Sequence, residues 1–231
     1  MLTQTESFSR RDTDRRTRTA PGRRLALWPA AAVAASVAAI VAADLVNPAY
    51  SPVTEVISRY VNGNHGWLIT AALLTIGVAS AASAARLRSA DVSRTGRVAL
   101  LVWAAGVFVA GIFPADPPGL WGQPSPADMV HGMAATLAFV ALPLAALLLH
   151  RGLAARWARG AALLRVVSRF SLVSTAVLVV FLGDVMGGPS LSIGGFPTVV
   201  GLVERIAFGA DLLWVALAAV AVSRPATRRT R

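Results

Sequence analysis

Six long runs of apolar residues, each bounded by short polar stretches, dominate the chain. They fall at roughly Leu25–Val46, Trp67–Ala85, Val98–Phe113, Met129–Leu149, Val166–Val185 and Val199–Val222. Crossing a bilayer core takes about 20 mostly apolar residues. The runs are continuous rather than alternating and rich in Ala, Leu and Val, which selects helices over barrel strands; in lipid only these two satisfy every backbone polar group. The pattern therefore predicts an all-α integral membrane bundle of six transmembrane helices. Between the first two, Val53, Val56, Ile57, Tyr60 and Val61 follow i, i+3, i+4, i+7, i+8 spacing. That spacing predicts a short amphipathic helix on the outer surface, opened by Ser51-Pro52, with Ser58, Arg59 and Asn62 on its other faces.

Small residues give the packing ridges that helices need when lipid is as apolar as their own side chains. Ala31, Ala35, Ala39 and Ala43 form one such row on the first helix, and Gly106 and Ala110 another on the third. Pro143 interrupts the hydrogen bonding of the fourth.

Composition agrees with lipid as the solvent. Of 231 residues 55% are apolar and 14% charged, against about 25% charged in soluble domains; the mean hydropathy is +0.62. All 22 basic residues are Arg, and this Ala- and Arg-rich usage points to a high-GC bacterial genome. The chain has no Cys, which excludes disulfides, thiolate metal sites and a Cys nucleophile.

Charge then fixes an orientation. Twenty of the 22 arginines lie before the first helix, between helices two and three, between four and five, or after the sixth; only Arg59 and Arg205 lie on the other side. The positive-inside rule places both termini in the cytoplasm of a multi-pass protein of the cell (inner) membrane. Residues 1–24 read as a disordered basic cytoplasmic tail, 25–222 as the six-helix domain and 223–231 as a second basic cytoplasmic tail. The first helix resembles a signal peptide but is too long for one, and reads as an uncleaved span. A net charge of +11 does not imply nucleic acid, because topology already accounts for the arginines and the tail lacks base-stacking aromatics. Membrane lipids are the expected partners, and a homo-oligomer is compatible with the sequence.

The carboxylates have the opposite distribution. Asp44, Glu55, Asp116, Asp128, Asp184, Glu204 and Asp211 are outside or within the membrane, together with His65 and His131. Asp128 suits an N-cap or first-turn position of the fourth helix. His131 follows almost one turn later, where Asp116 or Asp128 would fix its tautomer and make it a general acid or base. Glu204, Phe208 and Asp211 share a face of the sixth helix. A charged Asp at that depth costs roughly 2.5–3.5 kcal/mol, so Asp211 is expected to face the bundle, protonated or partnered, with Thr75, Ser174 and Thr175 at compatible depth. Arg205 is expected to pair with an outer carboxylate.

Several short motifs carry a resemblance: Glu55…Ser58-Arg59-Tyr60, Phe113-Pro114-Ala115-Asp116-Pro117, Asp128-x-x-His131-Gly132 and Gly201-x-x-Glu204-Arg205. Together with the six helices they resemble, over about residues 25–222, the bacterial membrane proteins catalogued as domain of unknown function 998. The resemblance implies a polytopic bundle with polar motifs at Asp116 and His131, and no substrate.

Three functions fit these residues. The first is an outward-facing polar pocket for an amphipathic or lipid-like small molecule, with Asp44, Glu55, Asp184 and Arg205 as binding residues and Asp116, His131, Glu204 and Asp211 as the chemical groups. The second is a metal-independent acid–base enzyme acting on a lipid or isoprenoid, for example a cyclase, in which carboxylic acids held neutral protonate an alkene or epoxide. A zinc hydrolase is excluded because only His131 among three histidines is suitably placed. The third is a small transporter, disfavoured because no repeated halves are visible. No cofactor or metal is expected.

Overall fold

The computed structural model describes residues 20–87, 92–187 and 191–224, with side chains from residue 27 onward. Six helices are long and apolar enough to cross a membrane: α1 (Ala20–Val46), α2 (Trp67–Arg86), α3 (Arg94–Ile112), α4 (Pro126–Arg156), α5 (Ala161–Val185) and α6 (Val200–Val222). Helix α1 starts five residues before the predicted span; residues 1–19 of the predicted tail and 225–231 lie outside the described residues, as do Arg88 and Asp91.

Consecutive helices pack side by side, and α6 closes the circuit onto α1 while also touching α2, α4 and α5. Helix α6 is therefore the centre of the bundle: 67% of its apolar stretch is buried, against 28% for α1. The peripheral helices turn large apolar side chains outward at helical spacing, Met133, Leu137, Val140 and Leu144 on α4 and Val166, Phe170, Val173 and Val177 on α5. In water such stripes are a liability; in lipid they are the solvent-facing surface.

Small residues set the helix spacing where backbones come closest. A Cβ on Gly106 would stand 2.7 Å from the carbonyl oxygen of Ala134 and 3.0 Å from Cβ of Ala138, so α3 and α4 touch through that glycine. On α1 the alanine row is not the ridge: Ala31 and Ala35 are exposed, and the inward face is Val33, Ser36, Ile40, Ala43 and Asn47. The hydroxyl of Ser36 bridges toward α2 by donating to the carbonyl of Ala72 (3.3 Å). Pro143 is buried inside an uninterrupted α4.

The helix between α1 and α2 is shorter and tighter than the spacing predicts. It is a 3-10 helix, Ile57–Asn62, preceded by turns. At three residues per turn, Val56 and Arg59 fall on one face and Ile57 and Tyr60 on the next, and all four are buried. Asn47 clamps both ends of this linker: its amide donates to the carbonyls of Ala43 (2.8 Å) and Asn64 (3.0 Å), and its carbonyl accepts from the Asn64 N–H (2.5 Å).

Candidate functional site

The ends of the helices nearest the linker carry the acids, and here the linker sits across the first turns of α6. The N–H of Leu202 donates to the carbonyl of Val53 (3.0 Å). Gly201 lies under Glu55 so closely that a Cβ would come within 2.3 Å of the Glu55 carbonyl oxygen. The carboxylate of Glu204 accepts from the N–H of Ile57 (2.5 Å), the free donor at the start of the 3-10 helix. Arg205 gathers the remainder. It pairs with Asp44 of α1 (2.5 and 3.3 Å) and donates to the carbonyls of Pro52 (3.0 Å), Glu55 (2.7 Å) and Gly201 (3.1 Å). The Gly201-x-x-Glu204-Arg205 motif is thus a seat for the linker.

The α3–α4 loop is tied to the same linker from the other side. The Arg59 side chain is 2% exposed. It donates to the Pro117 carbonyl (2.6 Å) and stacks on Trp121, 3.8 Å from the ring centroid; such stacking is a cation–π contact. Burial pulls the Arg59 guanidinium below its ordinary pKa, with Asp128, Glu55 and Asp116 opposing that shift. Asn62 reaches the carbonyl of Ala115 (2.9 Å). Asp116 accepts from the Ser125 N–H (2.6 Å), and this bond holds its carboxyl below the usual range. The N-cap of α4 is Ser125, and Asp128 is the first-turn acid.

His131 stands in the second turn of α4. Its Nδ1 lies 2.9 Å from the carbonyls of both Ala110 and Phe113. Carbonyls only accept, so Nδ1 carries a proton and donates to them, which directs Nε2 away from the end of α3. Neither Asp116 nor Asp128 holds this ring; the end of α3 does.

His131 and Glu204 line one cavity of about 30 Å³, room for one or two waters. Ser58 lines it from the linker and Ile57 helps cover it; Trp103, Phe139 and Phe208 form its aromatic floor, with Phe208 centroids 5.9 Å from each of the other two. Trp103 is fixed by an indole N–H donated to Ser80 (3.0 Å).

Of the residues predicted as a site, then, only His131 and Glu204 share this cavity. Asp44 and Arg205 are an ion pair beside it. The Glu55 carboxyl is half-buried and raised in pKa by that burial, with Arg59 opposing. Asp116 pins a loop. Asp184, at the end of α5, accepts from the Leu191 N–H (2.9 Å to each oxygen). Asp211 is fully buried deeper in α6 and accepts from Ser171 of α5 (2.6 Å), a helix–helix bond made by neither Thr75, Ser174 nor Thr175. The sequence spacing sets Ser58, Arg59 and Asn62 on faces other than the apolar one, yet Ser58 lines the cavity and Arg59 is buried. Among the described residues no group of three or more His, Asp or Glu gathers as a metal site would require.

Tyr60 gives the linker a titration signature. It is wholly buried, donates to the Tyr50 carbonyl (3.2 Å), and burial pushes its pKa from 10.0 to about 12, Arg205 opposing. The unfolded chain then releases this proton before the folded one, so stability falls as pH rises from about 10 to 12. Thermal unfolding in mild detergent is expected to show that fall, and Tyr60→Phe to flatten it.

Six apolar helices capped at one end by an interlocked linker and loop define a polytopic α-helical membrane protein with a small, mostly apolar cavity at the capped end. The chain belongs to the family described as protein of unknown function (DUF998), whose model matches residues 30–221. No curated protein and no solved structure matches it.

Proposed function

We propose that the His131–Glu204 cavity receives the polar tip of an amphipathic molecule drawn from the outer leaflet of the cell membrane. The observation that carries this reading is the composition of the cavity wall: His131, Glu204 and Ser58 line a space whose other walls are apolar, among them Leu73, Trp103, Val107, Phe139 and Phe208. A few convergent polar groups in an apolar hollow are what a ligand site requires. At about 30 Å³ the closed cavity accommodates a hydroxyl or amine and no more, so the ligand's tail enters only when the 51–62 linker lifts.

A second reading rests on the same pair. An imidazole and a carboxyl that line one water-sized space are the residue types a general base and a general acid require, which supports a metal-independent acid–base enzyme acting on a lipid or isoprenoid.

The test is untargeted lipid analysis of the protein purified from its own membranes, beside whole-cell lipids of a deletion strain complemented with each variant. A co-purifying amphiphile is expected with the wild type, absent from His131→Ala, from Glu204→Gln and from Ala135→Phe, which fills the cavity and leaves its polar groups in place. The same lipid on all four proteins overturns the proposal. A product missing from the deletion strain and restored by the wild type but not by His131→Ala selects the enzyme over the binder.

A further inference from the structure

The opposite end of the bundle holds a larger space, about 570 Å³, between α4 and α5. Its walls carry His150 and Arg151 from α4 and Arg165 and Arg169 from α5. Among the described residues no carboxylate stands at this end, and the Asp44–Arg205 bridge lies at the other. The three exposed arginines therefore border one space without an acidic partner among the described residues, a concentration of like charge that an anion would relieve. Ala161 also lines the space; it is the first residue of α5, which opens without a side-chain cap, so a positive helix end adds to the same field.

We infer that this crevice binds the phosphodiester headgroup of an anionic phospholipid. Guanidinium forks match phosphate oxygens two at a time, and basic pockets between transmembrane helices suit such headgroups. Lipid is favoured over a soluble phosphate by what lies beside the arginines. Leu147 lines the pocket and is exposed, and the exposed stripes running toward the membrane centre, Leu144 on α4 and Phe170 and Val173 on α5, offer a track for acyl chains. Helix length sets the depth. The 31 residues of α4 span about 46 Å at 1.5 Å each, well over the roughly 30 Å hydrocarbon core, so its Arg151 turn reaches the headgroup layer. The polar floor is already committed: Ser168 donates to the Leu164 carbonyl (2.7 Å) and accepts from the Trp214 indole (3.0 Å). The arginines are left to select the ligand.

The experiment titrates the full chain in neutral detergent with phosphatidylglycerol, phosphatidylcholine and inorganic phosphate, counting bound lipid by native mass spectrometry. Wild-type protein is expected to retain phosphatidylglycerol and not phosphatidylcholine. The doubly substituted Arg165→Gln, Arg169→Gln protein is expected to bind it at least tenfold more weakly, and Arg94→Gln, an exposed arginine at the same end on α3, to match the wild type. Ala154→Phe fills the crevice with every charge kept and is expected to lose the lipid as well. Equal retention of the two lipids, wild-type affinity in the double variant, or full binding by Ala154→Phe would overturn the site. Displacement of the lipid by phosphate at comparable concentration would overturn its assignment to lipid in favour of a soluble anion. All three substituted positions in the Gln variants are exposed, and an unchanged unfolding midpoint without lipid verifies that their fold is intact.

Discussion

Arg205→Ala is expected to cost about 3 kcal/mol, the range for stripping the partner from a largely buried charge, and to lower Tm by roughly 6–12 °C. The reason is convergence. One guanidinium serves Asp44 of α1, the carbonyls of Pro52 and Glu55 in the linker, and that of Gly201 on its own helix. Its removal leaves the Asp44 carboxylate, 24% exposed, without its partner, and three carbonyls lose a donor at once. Arg205→Lys keeps the charge but presents a single ammonium where a planar fork reaches several acceptors, so it is expected to recover less than half of the loss. Tryptophan fluorescence followed through thermal unfolding in mild detergent measures both. A Tm unchanged within 2 °C in Arg205→Ala would refute the clamp.

Gly201→Ala is expected to destabilise although alanine is the better helix former by about 1 kcal/mol. The added methyl meets the backbone of Glu55, with carbonyl oxygen at 2.3 Å and carbon and nitrogen at 2.8 Å, and backbone does not rotate aside as a side chain does. Overpacking of this kind costs about 1–3 kcal/mol or more; the net expectation is a loss of about 2 kcal/mol, with the linker displaced and the Glu204–Ile57 bond broken. Gly209→Ala is the counterpart. On the same helix it meets nothing within 4 Å, and its Tm is expected to hold or rise. Opposite signs at two glycines two turns apart separate a seat for the linker from ordinary helix propensity; equal signs would dismiss the seat.

The spans were legible because lipid demands long uninterrupted apolar runs, and few other structures produce them. Their ends were less so. Helix α4 runs from Pro126 to Arg156, past the apolar limits Met129 and Leu149, because a helix continues into the headgroup layer without needing apolar residues there. The buried face of α1 was misread for a related reason: alanine is equally at home against lipid and against a neighbouring helix, so an alanine row does not mark the inner side. Ser36 and Asn47, which need partners, do. A 3.6-residue period puts Arg59 off the apolar face, whereas the segment winds at 3.0 and buries it. The polar residues of the capped end were all visible as polar residues in a membrane protein. What sequence could not separate is a carboxylate that accepts a backbone N–H, as Asp116 and Asp184 do, from a group that also fronts open space, as Glu204 does; that distinction depends on where the linker lies.

The central place of α6 has a consequence for biogenesis. The helix that closes the circuit onto α1 is the last of the six to leave the ribosome, so five inserted spans pack side by side in the bilayer with the circuit open and Asp44 without its counter-ion. Assembly of the capped end is in this way timed to the arrival of Gly201–Arg205, the residues on which the linker is seated.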